Sequence, residues 1–400
     1  YPPTAVNGFL ISGLLSPKTG QISEPADLIQ RYEGELGDYR VAPNVQYRPG
    51  METEFVTDLY DLIDTRGRWA QHMMQQEKPD VMMVHFLSMD IMKPALWRFM
   101  DHDHPRYETG PYENAIRDGY KLVDEYTGRL MEMIPSDAST IVMSDHGFGP
   151  LLNMVNLNVF FMDKGLMKLK KDPWTQLKAL AFRWGLTPSA AYQLIVKMGM
   201  QNLTTRVSKQ TRNGVIGRFL SFDSVDWDRT VAYSMGHVGQ VYLNVVGRDP
   251  HGIVQPQEYE KTRQQVIDAL GELTDENGRP ILSRVISGDK VYHGPYAQKG
   301  PDIHLVLDDY NMIACPLFAT EGKIITSQIR GDSGCHRSEG IFLAQGPGIK
   351  AGVQLPANHI SDLAPTIMHL LDKAVPKVMD GRVLSEIYEQ PQPVQFDDQD

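Results

Sequence analysis

At 400 residues, 42% hydrophobic and 22% charged, the chain has ordinary globular composition and room for one large domain with insertions or for two to three smaller ones. Its formal net charge is −11 and it carries no basic stripe, which excludes a protein that tracks a nucleic-acid backbone by charge. Small anionic substrates stay open, because a bound cation overrides the charge of a whole chain locally.

The two cysteines, Cys315 and Cys335, are too few for a disulfide framework and lack the CxxC spacing of a structural zinc site. A reduced compartment, and with it a cytoplasmic location, is the expectation. No apolar run approaches the roughly eighteen residues of a membrane span. The chain opens at Tyr1 rather than Met and reads as a processed or truncated start.

Taken in order, residues 1–50 look like loops with short elements. Over 52–77 the residues Phe55, Leu59, Leu62, Ile63 and Trp69 recur at helical spacing and predict one long amphipathic helix. Lys78-Pro79-Asp80 breaks it, and the apolar run 81–87 has the pattern of a strand buried on both faces. A second helix is predicted over 112–133 and a short buried strand over 140–143. Alternating helices and strands predict an α/β fold with a doubly wound, mostly parallel sheet and helices on both faces. In such sheets ligands bind beyond the carboxyl ends of strands, where this chain places Ser88-Met89-Asp90 and Ser144-Asp145-His146. Residues 151–225, rich in Lys and at helical spacing, read as a helical insertion. A hairpin is expected over 230–246 and a helix over 259–273, so 226–310 forms a hairpin and helix subdomain. Strands at 303–307 and 340–344 and a helix at 361–371 follow, 311–390 completing the core begun by 1–150. The acidic, Pro-containing tail 391–400 reads as disordered.

Ser144-Asp145-His146-Gly147-Phe148-Gly149 carries the most chemistry. A carboxylate and an imidazole at a strand end suit zinc or manganese, and the glycines let the backbone turn away from an ion. This segment resembles the alkaline phosphatase superfamily, in its type I phosphodiesterase and nucleotide pyrophosphatase branch. The resemblance covers most of the chain: the strand ending at Asp90, Gly334-Cys335-His336-Arg337 before Gly340-Ile341-Phe342-Leu343-Ala344, Gly346-Pro347-Gly348, Asp362-Leu363-Ala364-Pro365-Thr366-Ile367, and Met379-Asp380-Gly381-Arg382.

The resemblance implies an α/β core like that of the superfamily and a small phosphorylated substrate. It implies two divalent ions, zinc with manganese as the alternative. Asp145 and His146 would hold the ion that activates the nucleophile, and Asp90 and His336 the ion on the leaving-group side. Two departures stand out. The family's nucleophilic Thr or Ser is expected upstream of Tyr1, and Thr4 is not taken for it; the chain as given should therefore be weak or inactive by itself. The family's His four residues after the strand-end Asp is Pro94 here, which cannot ligate, so the second site is expected to be weak unless Asp101, His102 or His104 replaces it. A phosphomutase is the alternative within the superfamily; a catalytically impaired relative that binds a phosphorylated ligand is the alternative outside enzymes, and Pro94 favours it.

Gly331-Asp332-Ser333-Gly334 imitates a serine-protease segment without the remaining triad context. Cys315-Pro316 lacks the sulfatase pattern, and Asn202-Leu203-Thr204 is a lone glycosylation sequon. Trp174, Trp184, Tyr192 and Tyr233 could stack on a base, although such spacing suits packing. The oligomeric state is left open.

Overall fold

The computed structural model describes residues 3–397 except 15, 17–19, 188–189, 191–193, 195–218, 317, 319–321 and 328–330. The main helices are α1 (Leu28–Leu36), α2 (Glu52–Glu77), α3 (Ser88–Met100), α4 (Ala115–Met131), α5 (Leu157–Asp163), α6 (Pro173–Arg183), α7 (Tyr259–Leu270) and α8 (Leu363–Leu370). The strands used below are β1 (Thr140–Met143), β2 (Gly147–Pro150), β3 (Asn153–Val155), β4 (Ala232–Ser234), β5 (Gln240–Leu243), β6 (Leu282–Ser287), β7 (Ile303–Leu307), β8 (Met312–Ala314), β9 (Ile325–Thr326), β10 (Gly334–Arg337) and β11 (Phe342–Gln345). The chain divides into two compact units: Tyr1–Met92 with Asn114–Phe148 and His336–Asp400, and Lys93–Glu113 with Gly149–Cys335.

In the first unit α2 forms where the apolar spacing predicts it. Phe55, Leu59, Leu62, Ile63, Trp69 and Met73 lie on its buried side, each worth at most about 1.5–3 kcal/mol relative to exposure. Glu52 and Glu54 favour its amino end, and Lys78 at φ 44° followed by Pro79 stops it. Helix α4 packs against α2 at Gly67, where a Cβ would lie 2.1 Å from the Tyr126 ring. The Tyr126 hydroxyl donates to Asp64 across the same contact. Strand β1 pairs antiparallel with β11, in the register Thr140↔Gln345 to Met143↔Phe342. At the carboxyl end, Asp362 accepts from His359 N and Arg382 N, while Thr366 Oγ1 accepts from Leu384 N. The Asp-Leu-Ala-Pro-Thr and Asp-Gly-Arg segments are thereby tied together.

The second unit centres on a seven-stranded sheet in the order β9-β3-β8-β7-β5-β4, with β6 also paired to β7. Its core gathers Val155, Leu157, Phe161, Val241, Leu243, Val266, Leu270, Ile303 and Leu305. Asp302, 4% exposed, accepts from Leu243 N, from the Tyr259 hydroxyl at 2.6 Å and from Arg248 at 2.8 Å through both oxygens.

Among the described residues the sheet is mostly antiparallel, not the doubly wound, mostly parallel sheet expected. In the second unit β3 and β8 run parallel, and the remaining pairs of that sheet are antiparallel. The reason is connection length: β4 returns into β5 through a short turn with Gly236 at φ 83° and Gly239 at φ 72°, and a short turn can only reverse direction. The run 81–87 forms no strand and joins no ladder among the described residues. Without a partner strand its alternate side chains stay in water, Val81 at 54% and Met83 at 87% exposed, so it is not buried on both faces. The described part of residues 151–225, read in the sequence as a helical insertion, carries α5 and α6 and also supplies β3 to the sheet. Of the tail expected to be disordered, Phe396–Asp397 pairs with Val375–Pro376.

Candidate metal centre

Two loops of the first unit build the centre. Beyond β1 the ladder runs one residue further: Ser144 N donates to Ile341 O at 3.0 Å, and Ile341 N to Ser144 Oγ at 2.9 Å. The chain then turns at His146 with backbone lying on backbone. A Cβ at Gly147 would sit 2.0 Å from Glu339 O, and one at Gly340 2.6 Å from Ser144 Oγ. Only glycine allows this approach, and it brings His146 and His336 face to face, ring centroids 3.9 Å apart and 23° from coplanar.

Asp90 comes from the first turn of α3, where its charge suits the helix amino end. His336 Nε2 lies 3.1 Å and His146 Nε2 3.6 Å from Asp90 Oδ1. His146 Nδ1 lies 3.0 Å from Gly147 O, a pure acceptor, which leaves Nε2 turned toward the cluster. The ligand atoms of Asp90, His146 and His336 all fall within 4.8 Å of one another. Asp145 Oδ1 stands 3.5 Å from His146 Nε2, on the exposed side of the group. Ligands about 2.0–2.1 Å from a tetrahedral zinc are about 3.3 Å apart, and the 3.1, 3.5 and 3.6 Å separations bracket that value. The donor set, imidazole nitrogen with carboxylate oxygen, fits a borderline divalent cation.

Of the candidate ligands, Asp90, His146 and His336 converge and Asp145 lies beside them. Pro94 sits inside α3, where its carbonyl accepts from Ser333 N at 2.6 Å. Asp101, His102 and His104 are engaged within the second unit. His104 is buried, with Nε2 on Leu151 O at 3.1 Å and Nδ1 accepting from Arg106 N at 3.0 Å, so neither nitrogen is left for a metal. Burial also pushes its pKa down. His102 pairs with Glu113, and Asp101 accepts from Trp97 Nε1. Ser333 of the protease-like segment is fully buried and holds Arg98 N. Trp174 and Trp184 are exposed, Tyr233 donates to Asp249, and Tyr192 and Asn202 lie outside the described residues. Sequence reasoning missed Phe148, which meets the His336 ring edge-on at 5.4 Å. Its signal was the place between two glycines after the Asp-His pair.

Mixed α/β architecture with a solvent-open group of two imidazoles and a carboxylate defines a class of protein equipped to hold a divalent cation at its surface. A family model for Type I phosphodiesterase / nucleotide pyrophosphatase matches residues 22–314, and the chain belongs to that family, a branch of the alkaline phosphatase superfamily. The matched stretch takes in Asp90, Asp145 and His146 and ends before His336. No curated protein and no solved structure matches the chain.

Proposed function

We propose that the intact protein is a metal-dependent phosphohydrolase that cleaves phosphodiester or pyrophosphate bonds in small phosphorylated substrates, this chain supplying its metal centre. One observation carries the reading: Asp90, His146 and His336, far apart in sequence, meet with their ligand atoms within 4.8 Å in a member of this family. Asp145 and His146 would hold one divalent ion, and Asp90 and His336 the other, zinc being the better match to the donors. Bound cations supply charge neutralisation to phosphoryl oxygens as a bond to phosphorus breaks. The chain's own part is orientation. Gly147 O orients the His146 ring, Asp90 stands between the two Nε2 atoms, and Phe148 braces His336 from the side.

Titration with Zn²⁺ and turnover of bis(4-nitrophenyl) phosphate test the reading. Asp90→Asn, His146→Ala and His336→Ala should each weaken Zn²⁺ binding at least about tenfold, and a chelator should abolish turnover until Zn²⁺ is returned. Unchanged Zn²⁺ affinity in all three variants, or turnover indifferent to the chelator, sinks it. Pro94 favours a second reading, a relative that binds a phosphorylated ligand without cleaving it. Metal binding and phosphate-ester binding without any turnover, in the protein that includes its nucleophile, would put that reading first.

A further inference from the structure

Helix α6 of the second unit turns its apolar side outward. Asp172 caps it, accepting from Thr175 N at 2.9 Å, and Pro173 opens it. Thr175 and Phe182 form its buried side, 6% and 3% exposed. Across the helix Trp174, Leu177, Leu180 and Trp184 are 65%, 56%, 45% and 71% exposed. At about 100° per residue these four fall in a single arc of about 120°, the width of a face built to be covered. Leu186, also exposed, prolongs the stripe beyond the helix.

The charge around this stripe opposes that of the chain. Residues 165–184 hold five Lys and Arg against one Asp, within a protein of net charge −11, while Lys164 before them is paired with Glu272. Lys178 lies over the Trp174 ring at 5.5 Å, Arg183 is exposed in the last turn, and Lys170 O accepts from Gln176 Nε2 of the helix. A basic rim of this kind repels a second copy of itself and attracts an anionic partner. Tryptophan at both ends of the stripe suits a boundary that is apolar below and wet above. The helix has 11 residues, about 17 Å, far short of the roughly 30 Å of a bilayer core. No helix among the described residues is long and apolar enough to cross a membrane, so any contact of α6 with lipid would be with a surface.

We propose that α6 docks this protein onto an anionic lipid surface, Trp174, Leu177, Leu180 and Trp184 entering the headgroup boundary while Lys170, Lys178 and Arg183 meet the lipid phosphates. The inference is independent of the metal centre and of any hydrolytic activity. The full 400-residue chain is co-sedimented with vesicles of phosphatidylcholine alone and of phosphatidylcholine mixed with phosphatidylglycerol. Binding should require phosphatidylglycerol, weaken as salt is raised, and shift tryptophan emission to the blue. Trp174→Ser with Trp184→Ser should lower the bound fraction at least about tenfold at constant lipid, and Leu177→Glu alone should act in the same direction. All three positions are exposed, and an unchanged thermal midpoint would show the fold intact. Equal binding to both vesicle types, or phosphatidylglycerol binding that survives the double substitution, overturns the proposal. So does self-association, or binding to a single-stranded oligonucleotide, that the same substitutions abolish while no vesicle binding is seen.

Discussion

Gly147 is the residue on which the geometry of both imidazoles depends. The atom nearest its missing Cβ is the backbone oxygen of Glu339, which cannot rotate aside, so Gly147→Ala must push the two loops apart. Overpacking of this kind costs about 1–3 kcal/mol. Its larger effect should fall on the cluster: Zn²⁺ binding is expected to drop at least about tenfold, followed by calorimetric titration. Gly128 in α4, with open space where its Cβ would stand, is the control and should leave Zn²⁺ binding unchanged on substitution by Ala. Parallel weakening by both substitutions would separate the metal centre from this loop contact. Asp90, Asp145 and His146 were legible as candidates because a carboxylate or imidazole following an apolar run is a local signal, whereas His336 came only from the family resemblance. The supports of these residues were not legible. Gly147 against Glu339, and Phe148 against His336, join residues about two hundred positions apart, and no local pattern records such a meeting.

Individual elements were read well wherever periodicity alone decides. Helix α2 and strands β1 and β7 begin and end where their apolar spacing says, and the hairpin β4–β5 lies inside its expected span. Helix α3 carries Pro94 in its middle, which sets aside one helical hydrogen bond and obscured it in the sequence. Pairing partners were harder, since an apolar run states that a strand wants cover but not which strand supplies it. The buried ion network of the second unit shows the same limit, joining Arg248 to Asp302 across 54 positions. Arg248→Ala leaves the Asp302 carboxylate, only 4% exposed, without its cation, and should cost about 3–5 kcal/mol in denaturant unfolding. A loss below about 1 kcal/mol would show the network to be replaceable by water.

The α2–α4 contact makes a prediction about pH. Burial first, and then its hydrogen bond to Asp64, push the Tyr126 hydroxyl up from 10 to about 12. The folded state therefore holds a proton that the unfolded chain releases sooner. This stabilisation is fully present below pH 10 and is lost as pH rises through about 12, on the order of 2 kcal/mol in all. Thermal midpoints of the wild type and of Tyr126→Phe should converge across that window. A gap that stays constant would show that Tyr126 titrates alike in both states.

Over the whole molecule, composition set the class and the family motifs set the chemistry, while the sheet followed from contacts that composition cannot contain. The antiparallel sheet of the second unit is built from segments as distant as 153–155 and 325–326, so its order was not readable from consecutive blocks of sequence. Charge shows the same separation of scales: the chain is acidic at −11, yet 164–184 is basic and borders an exposed apolar stripe. The central claim concerns the cluster at the start of α3 and the end of β1. Anomalous diffraction at the zinc edge from Zn²⁺-loaded crystals of the full chain tests it most directly. A peak within about 2.0–2.2 Å of Asp145 and His146, with Asp90 and His336 on an adjoining peak, is the predicted result. Zinc found only elsewhere on the chain, with these side chains keeping their mutual hydrogen bonds, would contradict the account.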